Sequence, residues 1–215
     1  MLGTRYYGQI SRSTDGGETW QVTAVPSIEF PFVTKLANST DYPDRVFTVG
    51  SKGVYVSPDF GESWALTSIP SGFVIGTPFF LDVEVSRANA NIVWAGSGMN
   101  NSTNQRSLFV SADGGQSFSA AKNYTDVALG NITKLASHPT EPRTAYALFS
   151  FYGAPKVLRT TDLGETWQDI SGFGTNMSSK NGFPDVAVYC LYVRPDNPDI
   201  IWAGTEIGIV ESTDN

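Results

Sequence analysis

The sequence has 215 residues, of which 40% are hydrophobic and 13% aromatic, so the chain is long enough to bury a sizeable core. Its 21 acidic and 14 basic residues give a net charge of −7 without any basic stripe, which excludes nucleic acid and anionic membranes as expected partners. No apolar run reaches the length of a membrane span, which predicts no direct membrane insertion.

The predicted elements are all short β-strands, rich in β-branched or aromatic residues and separated by Gly, Pro, Asn or Asp. Helical periodicity is absent. Two strands open the chain, three sets of four follow, and a set of three closes it, which makes seventeen strands. In chain order they cover residues 5–11, 18–25, 32–38, 45–50, 53–57, 63–69, 79–85, 92–96, 107–111, 117–123, 132–137, 144–149, 156–160, 166–170, 186–193, 200–204 and 208–212.

An eight-residue frame recurs between the last two strands of each set. It reads STDGGETW at 13–20, SPDFGESW at 57–64, SADGGQSF at 111–118 and TTDLGETW at 160–167, and STDN at 212–215 begins a fifth copy. The shared pattern is Ser/Thr, any residue, Asp, any residue, Gly, two residues, then Trp or Phe. Its members are Ser13, Asp15, Gly17, Trp20, Ser57, Asp59, Gly61, Trp64, Ser111, Asp113, Gly115, Phe118, Thr160, Asp162, Gly164, Trp167, Ser212 and Asp214.

The chemistry of the frame predicts a structural turn. Ser, Thr and Asp side chains accept hydrogen bonds from backbone N–H groups one or two residues on, and Gly takes the positive φ of a tight turn. The aromatic residue then opens the next strand, and we expect it to be buried in a core. The alternative is that the aspartates bind a cation or act as acids and bases. Each frame offers a single carboxylate, so we predict no metal site and no cofactor.

Four strands per repeat of 44 to 54 residues are typical of a β-propeller. The linkers between first and second strands, such as SRANANIVW and HPTEPRTAY, repeat in the same register. We therefore predict one propeller region over 1–215, of about four blades, which is a segment of a larger propeller and has the rest of that propeller as a partner. The predicted spans are 1–26 for a partial blade, 27–70, 71–125 and 126–172 for complete blades, and 173–215 for an incomplete blade.

The frame resembles the Asp-box, or bacterial neuraminidase repeat. That repeat occurs in sialidases, sortilin-type receptor ectodomains, xyloglucan-cleaving glycoside hydrolases and a photosystem assembly factor. The resemblance implies an all-β propeller of seven or more four-stranded antiparallel blades. It also implies that each box closes the hairpin between the third and fourth strands, far from any active site, and that the protein is secreted or extracytoplasmic.

The residues give little evidence for the enzymatic activities of these families. The resemblance to sialidases implies three arginines that hold a substrate carboxylate, but the Arg-Ile-Pro motif is missing and the arginines here lie beside boxes or first-to-second-strand linkers. A xyloglucanase-like hydrolase needs two facing carboxylates, and no spacing singles out such a pair. We assign no catalytic residue, and if the chain is part of an enzyme we expect a glycoside hydrolase. The carboxylates considered are Glu29, Asp82, Glu84, Asp185 and Glu206.

The favoured hypothesis is a recognition or scaffold module that binds a glycan or protein ligand. In propellers the fourth-to-first and second-to-third strand loops form the face where ligands usually bind, and these loops are long and aromatic here. The alternative is that their rings pack the loops onto the blade ends. The candidate ligand-face residues are Phe30, Phe73, Phe79, Tyr152, Phe173, Phe183 and Glu206.

Alignment of the first strands predicts charges near the propeller axis. Lys35, Asp82 and Lys134 each precede an apolar residue of one common register, and strand alternation places them on one face. Because buried charges need partners, we predict that Asp82, with help from Glu84, lies near Lys35 or Lys134.

Two isolated residues receive structural interpretations. The single cysteine, Cys190, excludes an internal disulfide framework, and its apolar neighbours predict a buried thiol. His138, the only histidine, is predicted to be an exposed loop residue without a functional partner.

Overall fold

The computed structural model describes residues 1–23, 25, 30–69, 72–73, 81–99, 108–124, 126–127, 129 and 131–214. Within these ranges all regular secondary structure is β-strand, in eighteen strands. They are β1 (Leu2–Thr4), β2 (Ile10–Arg12), β3 (Gln21–Thr23), β4 (Leu36–Asn38), β5 (Val46–Gly50), β6 (Gly53–Ser57), β7 (Ala65–Ser68), β8 (Asp82–Val85), β9 (Val93–Gly96), β10 (Leu108–Ser111), β11 (Ser119–Ala120), β12 (Ile132–Ser137), β13 (Ala145–Phe149), β14 (Val157–Thr160), β15 (Gln168–Asp169), β16 (Val188–Val193), β17 (Ile201–Thr205) and β18 (Gly208–Ser212).

The strands form five antiparallel sheets, in each of which neighbours in sequence are neighbours in space. We call them blade 1 (β1–β3), blade 2 (β4–β7), blade 3 (β8–β11), blade 4 (β12–β15) and blade 5 (β16–β18). Each sheet lies within one of the five spans derived from the repeats. The predicted all-β architecture of four-stranded antiparallel blades is confirmed.

Blade 1 differs from the prediction at its first strand. Residues 5–11 were expected to be one strand, but the chain turns back at Tyr7 and Gly8, both of which have positive φ. The turn adds β1, which pairs with β2 in antiparallel register. The predicted count of seventeen strands is therefore one too few for the described residues.

The hydrophobic core lies between the blades. Phe47 of blade 2 packs with Val83 of blade 3, and Trp94 of blade 3 packs with Leu135 of blade 4. A third cluster joins blades 4 and 5. Alternation along each strand supplies these contacts, because successive side chains point to opposite faces and each face meets a different neighbour.

Each complete Asp box is closed by one small hydrogen-bond network. In the fourth box, Thr160 Oγ1 donates to Asp162 Oδ1 and accepts the Gly164 N–H, both at 2.8 Å. Asp162 Oδ1 accepts the Thr166 N–H at 2.9 Å, and Oδ2 accepts the Thr166 hydroxyl at 2.6 Å. The boxes of Asp15, Asp59 and Asp113 repeat these bonds.

One part of this network was missed in the sequence. The residue directly before the aromatic is always Ser or Thr, and its hydroxyl and N–H both bind the box carboxylate. This recurrence of Ser or Thr is visible when the four box sequences are aligned position by position. The residues are Thr19, Ser63, Ser117 and Thr166.

The box glycine also determines how closely two blades approach. Gly164 has a φ of 82°, and a Cβ added to it would lie 2.7 Å from the Ala121 Cβ that follows blade 3. A Cβ on Gly115 would lie 2.6 Å from the Phe47 ring of blade 2. Glycine is therefore required both for the left-handed turn and for contact with the preceding blade.

The box aromatics are less buried than predicted. Trp20 is 44% exposed, and Trp64, Phe118 and Trp167 are half-buried. Trp64, Phe118 and Trp167 contact the blade before their own and pack at the margin of the core between blades; the Trp167 and Trp94 rings, for example, meet edge to face at 6.1 Å. No described sheet precedes blade 1, so Trp20 is the most exposed of the four.

Two further expectations are wrong. His138 is buried, and its Nδ1 accepts the N–H groups of Thr140 and Glu141 at 3.3 and 3.0 Å; burial lowers its pKa. Cys190 is exposed, because it lies on the face of blade 5 that no described sheet covers.

Replacing Asp162 with Ala removes the acceptor of three hydrogen bonds in the fourth box. We expect the free energy of unfolding to fall by about 1–2 kcal/mol, as measured by urea denaturation. Asp199→Ala, at an exposed aspartate outside the boxes, is the matched control and should change stability by less than about 0.5 kcal/mol. Equal effects of the two substitutions would contradict the structural role of the box.

The box carboxylates also predict a pH dependence. Hydrogen bonds from Thr166 lower the pKa of Asp162 to about 2 from the ordinary 3.8, and those from Ser63 and Ser117 do the same for Asp59 and Asp113. Because the native pKa lies below the unfolded one, this stabilisation is complete above about pH 4 and is lost as the pH falls towards 2. Unfolding free energies measured from pH 7 to pH 2 should show the decline, and Asp162→Asn should make it shallower. An identical pH profile for that variant would argue against the assignment.

Candidate functional site

Antiparallel order fixes which connections meet at each end of a blade. The boxes and the first-to-second-strand linkers share one end, and the remaining connections share the other, which we call the loop end. The turn between β1 and β2 and the connection between β3 and β4 therefore lie together at the loop end.

Three exposed aromatic rings gather there, and we call Tyr6, Tyr7 and Phe32 the aromatic patch. Tyr6 and Phe32 stack with centroids 4.8 Å apart and planes 18° apart, and Tyr7 meets Phe32 edge to face at 5.5 Å. Their side chains are 61%, 57% and 48% exposed. Rings of this size are seldom left so open in a cluster unless the surface binds something.

The turn that carries the two tyrosines is a strained one. Tyr7 and Gly8 have φ values of 55° and 80°, and Gln9 N–H donates to Tyr6 O at 3.4 Å. This is the pattern of a type I′ turn, whose first central position favours Asn, Asp or Gly. A tyrosine there costs roughly 1–2 kcal/mol. Strained backbone is frequent at functional sites because the surrounding structure must hold it in place.

The patch has a firm support. Thr34 Oγ1 accepts the Gly8 N–H at 2.8 Å and donates to Arg5 O at 3.1 Å, and Tyr6 forms a β-bridge with Val33. Below the turn lies the buried ring of Phe30, so close that a Cβ on Gly8 would be 2.3 Å from it.

A shallow groove of 280 Å³ runs beside the patch. Its walls combine ring surface with a threonine hydroxyl and the exposed Arg5, a mixture suited to a ligand that is apolar on its faces and carries hydroxyl groups at its edges. Its lining residues are Thr4, Arg5, Tyr6, Phe32, Val33 and Thr34.

Most of the predicted ligand-face aromatics lie elsewhere. Phe30, Phe73 and Phe173 are buried, and their assignment to a ligand face is wrong: Phe30 lies beneath the turn at Gly8, Phe73 packs edge to face on Phe109, and Phe173 lies against Lys156. Phe183 is half-buried against the cluster between blades 4 and 5. Phe79 lies outside the described residues.

The two remaining candidates, Tyr152 and Glu206, are exposed at the loop end of blades 4 and 5. Tyr152 lies beside an ion pair between the buried Lys156 and the exposed Asp185, in which Lys156 Nζ is 2.6 Å from Asp185 Oδ1. Both Asp185 oxygens accept the Gly153 N–H at 3.0 Å. Burial works to raise the pKa of Asp185, but the bonds from Lys156 and Gly153 outweigh it and the pKa is lowered. Glu206 accepts the Ala187 N–H at 3.4 Å.

The predicted inner charges meet between blades 3 and 4. Asp82 is buried, with Lys134 Nζ 3.0 Å from its Oδ2, which also accepts the Leu135 N–H at 2.7 Å. Glu84 accepts the Ser137 hydroxyl at 3.0 Å and lies 3.9 Å from Lys134, and burial raises its pKa. The described residues show no ion pair at Lys35. Every carboxylate of this group has a partner on the next blade, so the group joins blades.

Other site classes lack support within the described ranges. No cluster of three or more His, Cys, Asp or Glu side chains is arranged to hold a metal ion there. The described residues also contain no helix that is long and apolar enough to cross a membrane.

Comparison with known proteins relates the chain to Asp-box propellers. Residues 8–128, more than half of the chain, match the family model described as "Sortilin, neurotensin receptor 3" (Sortilin-Vps10). A xyloglucanase of Hypocrea jecorina is 28% identical over 78% of this chain, and a probable oligoxyloglucan-reducing end-specific xyloglucanase of Neosartorya fischeri is 26% identical over 97%. The chain spans only 17% and 26% of the lengths of these relatives.

Solved structures show the same fold. The GH74 enzyme of Niastella koreensis matches 96% of this chain with a TM-score of 0.70 and 17% identity, and the chain covers 31% of it. A structure of YCF48 bound to D1 peptide matches the whole chain with a TM-score of 0.56 and 15% identity, and 62% of that protein is covered. At these identities the similarity establishes the propeller fold alone.

Replacing Tyr7 with Asn tests the strained turn. Asn-Gly is the sequence that type I′ turns favour, so we expect the free energy of unfolding to rise by up to about 1 kcal/mol as left-handed strain is relieved. Tyr6→Asn is the control, because Tyr6 lies outside the left-handed region, and it should lower stability. If Tyr7→Asn is the more destabilising of the two in urea denaturation, the turn is not strained.

Proposed function

The chain belongs to the Sortilin-Vps10 family of Asp-box propellers, and we propose that it supplies part of the polysaccharide-binding surface of a glycoside hydrolase-like propeller. The observation that carries the proposal is the exposed aromatic patch at the loop end. The two curated relatives are named xyloglucanases, so the ligand that we propose is xyloglucan. An extracytoplasmic location is part of this proposal, since such a polysaccharide lies outside the cell.

The chemistry of the patch supports a sugar ligand. A pyranose ring presents C–H groups on its faces and hydroxyl groups at its edges. The exposed ring surface of Tyr6 and Phe32 would contact the faces, while the tyrosine hydroxyls and the Arg5 guanidinium would hydrogen-bond the edges. The fixed turn lowers the entropy cost of ordering these groups on binding.

Binding without hydrolysis is the role that we propose for this part of the protein. Glycoside hydrolysis needs two carboxyl groups about 5–9.5 Å apart on either side of a sugar. Three of the candidate carboxylates already have structural partners. Asp82 and Glu84 bind Lys134 and Ser137 of blade 4, and Asp185 binds Lys156 and the Gly153 N–H. We therefore propose that any catalytic pair is completed by parts of the parent protein beyond these residues.

Titration with xyloglucan oligosaccharides tests the proposal. We expect Tyr6→Ala and Phe32→Ala each to raise the dissociation constant at least tenfold, about 1.4 kcal/mol, because each removes one ring of the stacked pair. Tyr152→Ala is the matched control: this tyrosine is as exposed and also lies at the loop end, but outside the patch. Isothermal titration calorimetry gives the constants, and thermal melting shows that each variant is folded.

Two outcomes would overturn the proposal. One is a wild-type protein that binds xyloglucan no better than it binds starch or mannan oligosaccharides. The other is binding that survives loss of the patch but is lost with Tyr152.

A further inference from the structure

A second groove lies beside β15, the edge strand of blade 4. It is formed by β15, by the loop that follows this strand and by residues that connect blade 3 to blade 4. It shares no lining residue with the groove beside the aromatic patch. Its exposed surface is mainly apolar, and its volume is 390 Å³. Its aromatic and exposed polar side chains are Tyr124, Asp126, Trp167, Gln168, Phe173 and Lys180.

The aromatic rings of the groove come from both sides of it. Tyr124 and Phe173 each lie six residues after a box aromatic, and both are buried. Trp167 is half-buried and keeps part of its surface open. Tyr124 differs from Phe173 by a hydroxyl group, and burial together with a hydrogen bond to Asp126 raises the pKa of Tyr124. The hydroxyl therefore stays protonated and ties Asp126 to the groove.

One carboxylate fixes the loop that forms a wall of the groove. Asp169 Oδ1 accepts the Ser171 hydroxyl at 2.6 Å and the N–H groups of Ser171 and Gly172 at 2.8 and 3.2 Å. Its Oδ2 accepts the Gly174 N–H at 2.7 Å. The Lys180 N–H donates to Gly172 O at 2.8 Å, which brings Lys180 back to the groove. A wall that is already ordered lowers the entropy cost of binding.

The polar groups of the groove favour a neutral ligand with hydroxyl groups. Asp126 can accept hydrogen bonds, Lys180 can donate them, and Gln168 can do both. The charges of Asp126 and Lys180 cancel, while Asp169 is taken up by its hydrogen bonds to the loop. A neutral molecule with C–H groups on its faces and hydroxyl groups at its edges fits this combination of ring surface and polar groups.

The volume of the groove suits such a ligand. Pockets for small ligands measure about 300–1,000 Å³, and a cavity of about 150 Å³ already holds benzene. The 390 Å³ of this groove therefore has room for a six-membered ring with its hydroxyl groups.

We propose that this groove is a second sugar-binding site of the chain. It contacts the face of a pyranose ring with Trp167 and holds the hydroxyl groups through Asp126, Gln168 and Lys180. The proposal rests on the proposed function in one respect, that the ligand is a polysaccharide. A polysaccharide long enough to reach both this groove and the aromatic patch gains affinity from the second contact.

Trp167 provides the readout in the intact chain labelled with ¹⁵N. The five tryptophans give five indole N–H signals, and the Trp167→Phe variant identifies the signal from the groove. Phenylalanine occupies the same box position at Phe118, so this variant should fold. We expect the Trp167 signal to shift saturably during titration with a xyloglucan heptasaccharide.

Two variants and two matched controls locate the site. Asp126→Ala and Lys180→Ala each remove a charged hydrogen-bonding group from the groove and should raise the dissociation constant about tenfold. Asp199→Ala and Lys52→Ala change exposed residues of the same types outside the groove and should leave the constant unchanged. Thermal melting shows that each variant is folded.

The Tyr6→Ala variant separates this site from the aromatic patch. The Trp167 shift should persist in that variant with the same dissociation constant, even if the patch itself binds no sugar. A Trp167 signal that does not move, or a shift that is lost with Tyr6→Ala, overturns the proposal. Unchanged affinity in both Asp126→Ala and Lys180→Ala overturns it as well. A shift with the tripeptide Gly-Tyr-Gly but not with the heptasaccharide overturns it in favour of a peptide-binding groove.

Discussion

Blades 2, 3 and 4 each bury one face against the sheet before and the other against the sheet after. Phe47, Trp94 and Tyr146 occupy the same position in blades 2, 3 and 4, and all three are buried by a neighbouring blade. Trp202, their equivalent in blade 5, remains 38% exposed. Stability in such an array is a sum of contacts between neighbours, so everything else depends on the geometry with which one blade meets the next.

The Asp box links that geometry to local turn chemistry. Its carboxylate and hydroxyl groups close the turn, its glycine permits close approach to the preceding blade, and its aromatic fills the gap between them. Leu163 takes the left-handed conformation at 63° despite the strain. Packing of Leu163 into the cluster between blades 3 and 4 helps to offset that cost.

The parts predicted correctly from the sequence are those set by local chemistry and strand alternation. The boxes located the hairpins, and alternation along first strands suggested a neighbour relation between Asp82 and Lys134, which lie 3.0 Å apart. The features that were predicted wrongly are those in which burial depends on a segment distant in sequence. Phe30 is buried because a turn distant in sequence lies over it, and Cys190 is exposed because a blade face is open. The aromatic patch escaped because tyrosine is an unusual residue for the turn that presents it.

The direction in which the box aromatics lean bears on how the protein is made. Trp64 donates a hydrogen bond to Thr23, and Trp167 contacts Trp94; each ring therefore reaches back to a blade that leaves the ribosome earlier. When a box hairpin is synthesised, the blade that its aromatic contacts has already been made. The position of each box aromatic therefore does not depend on a later blade. Folding during translation can then proceed by accretion from the amino terminus. At each stage the uncovered apolar surface lies on the first and the most recent sheet, while the sheets between them already have both faces covered.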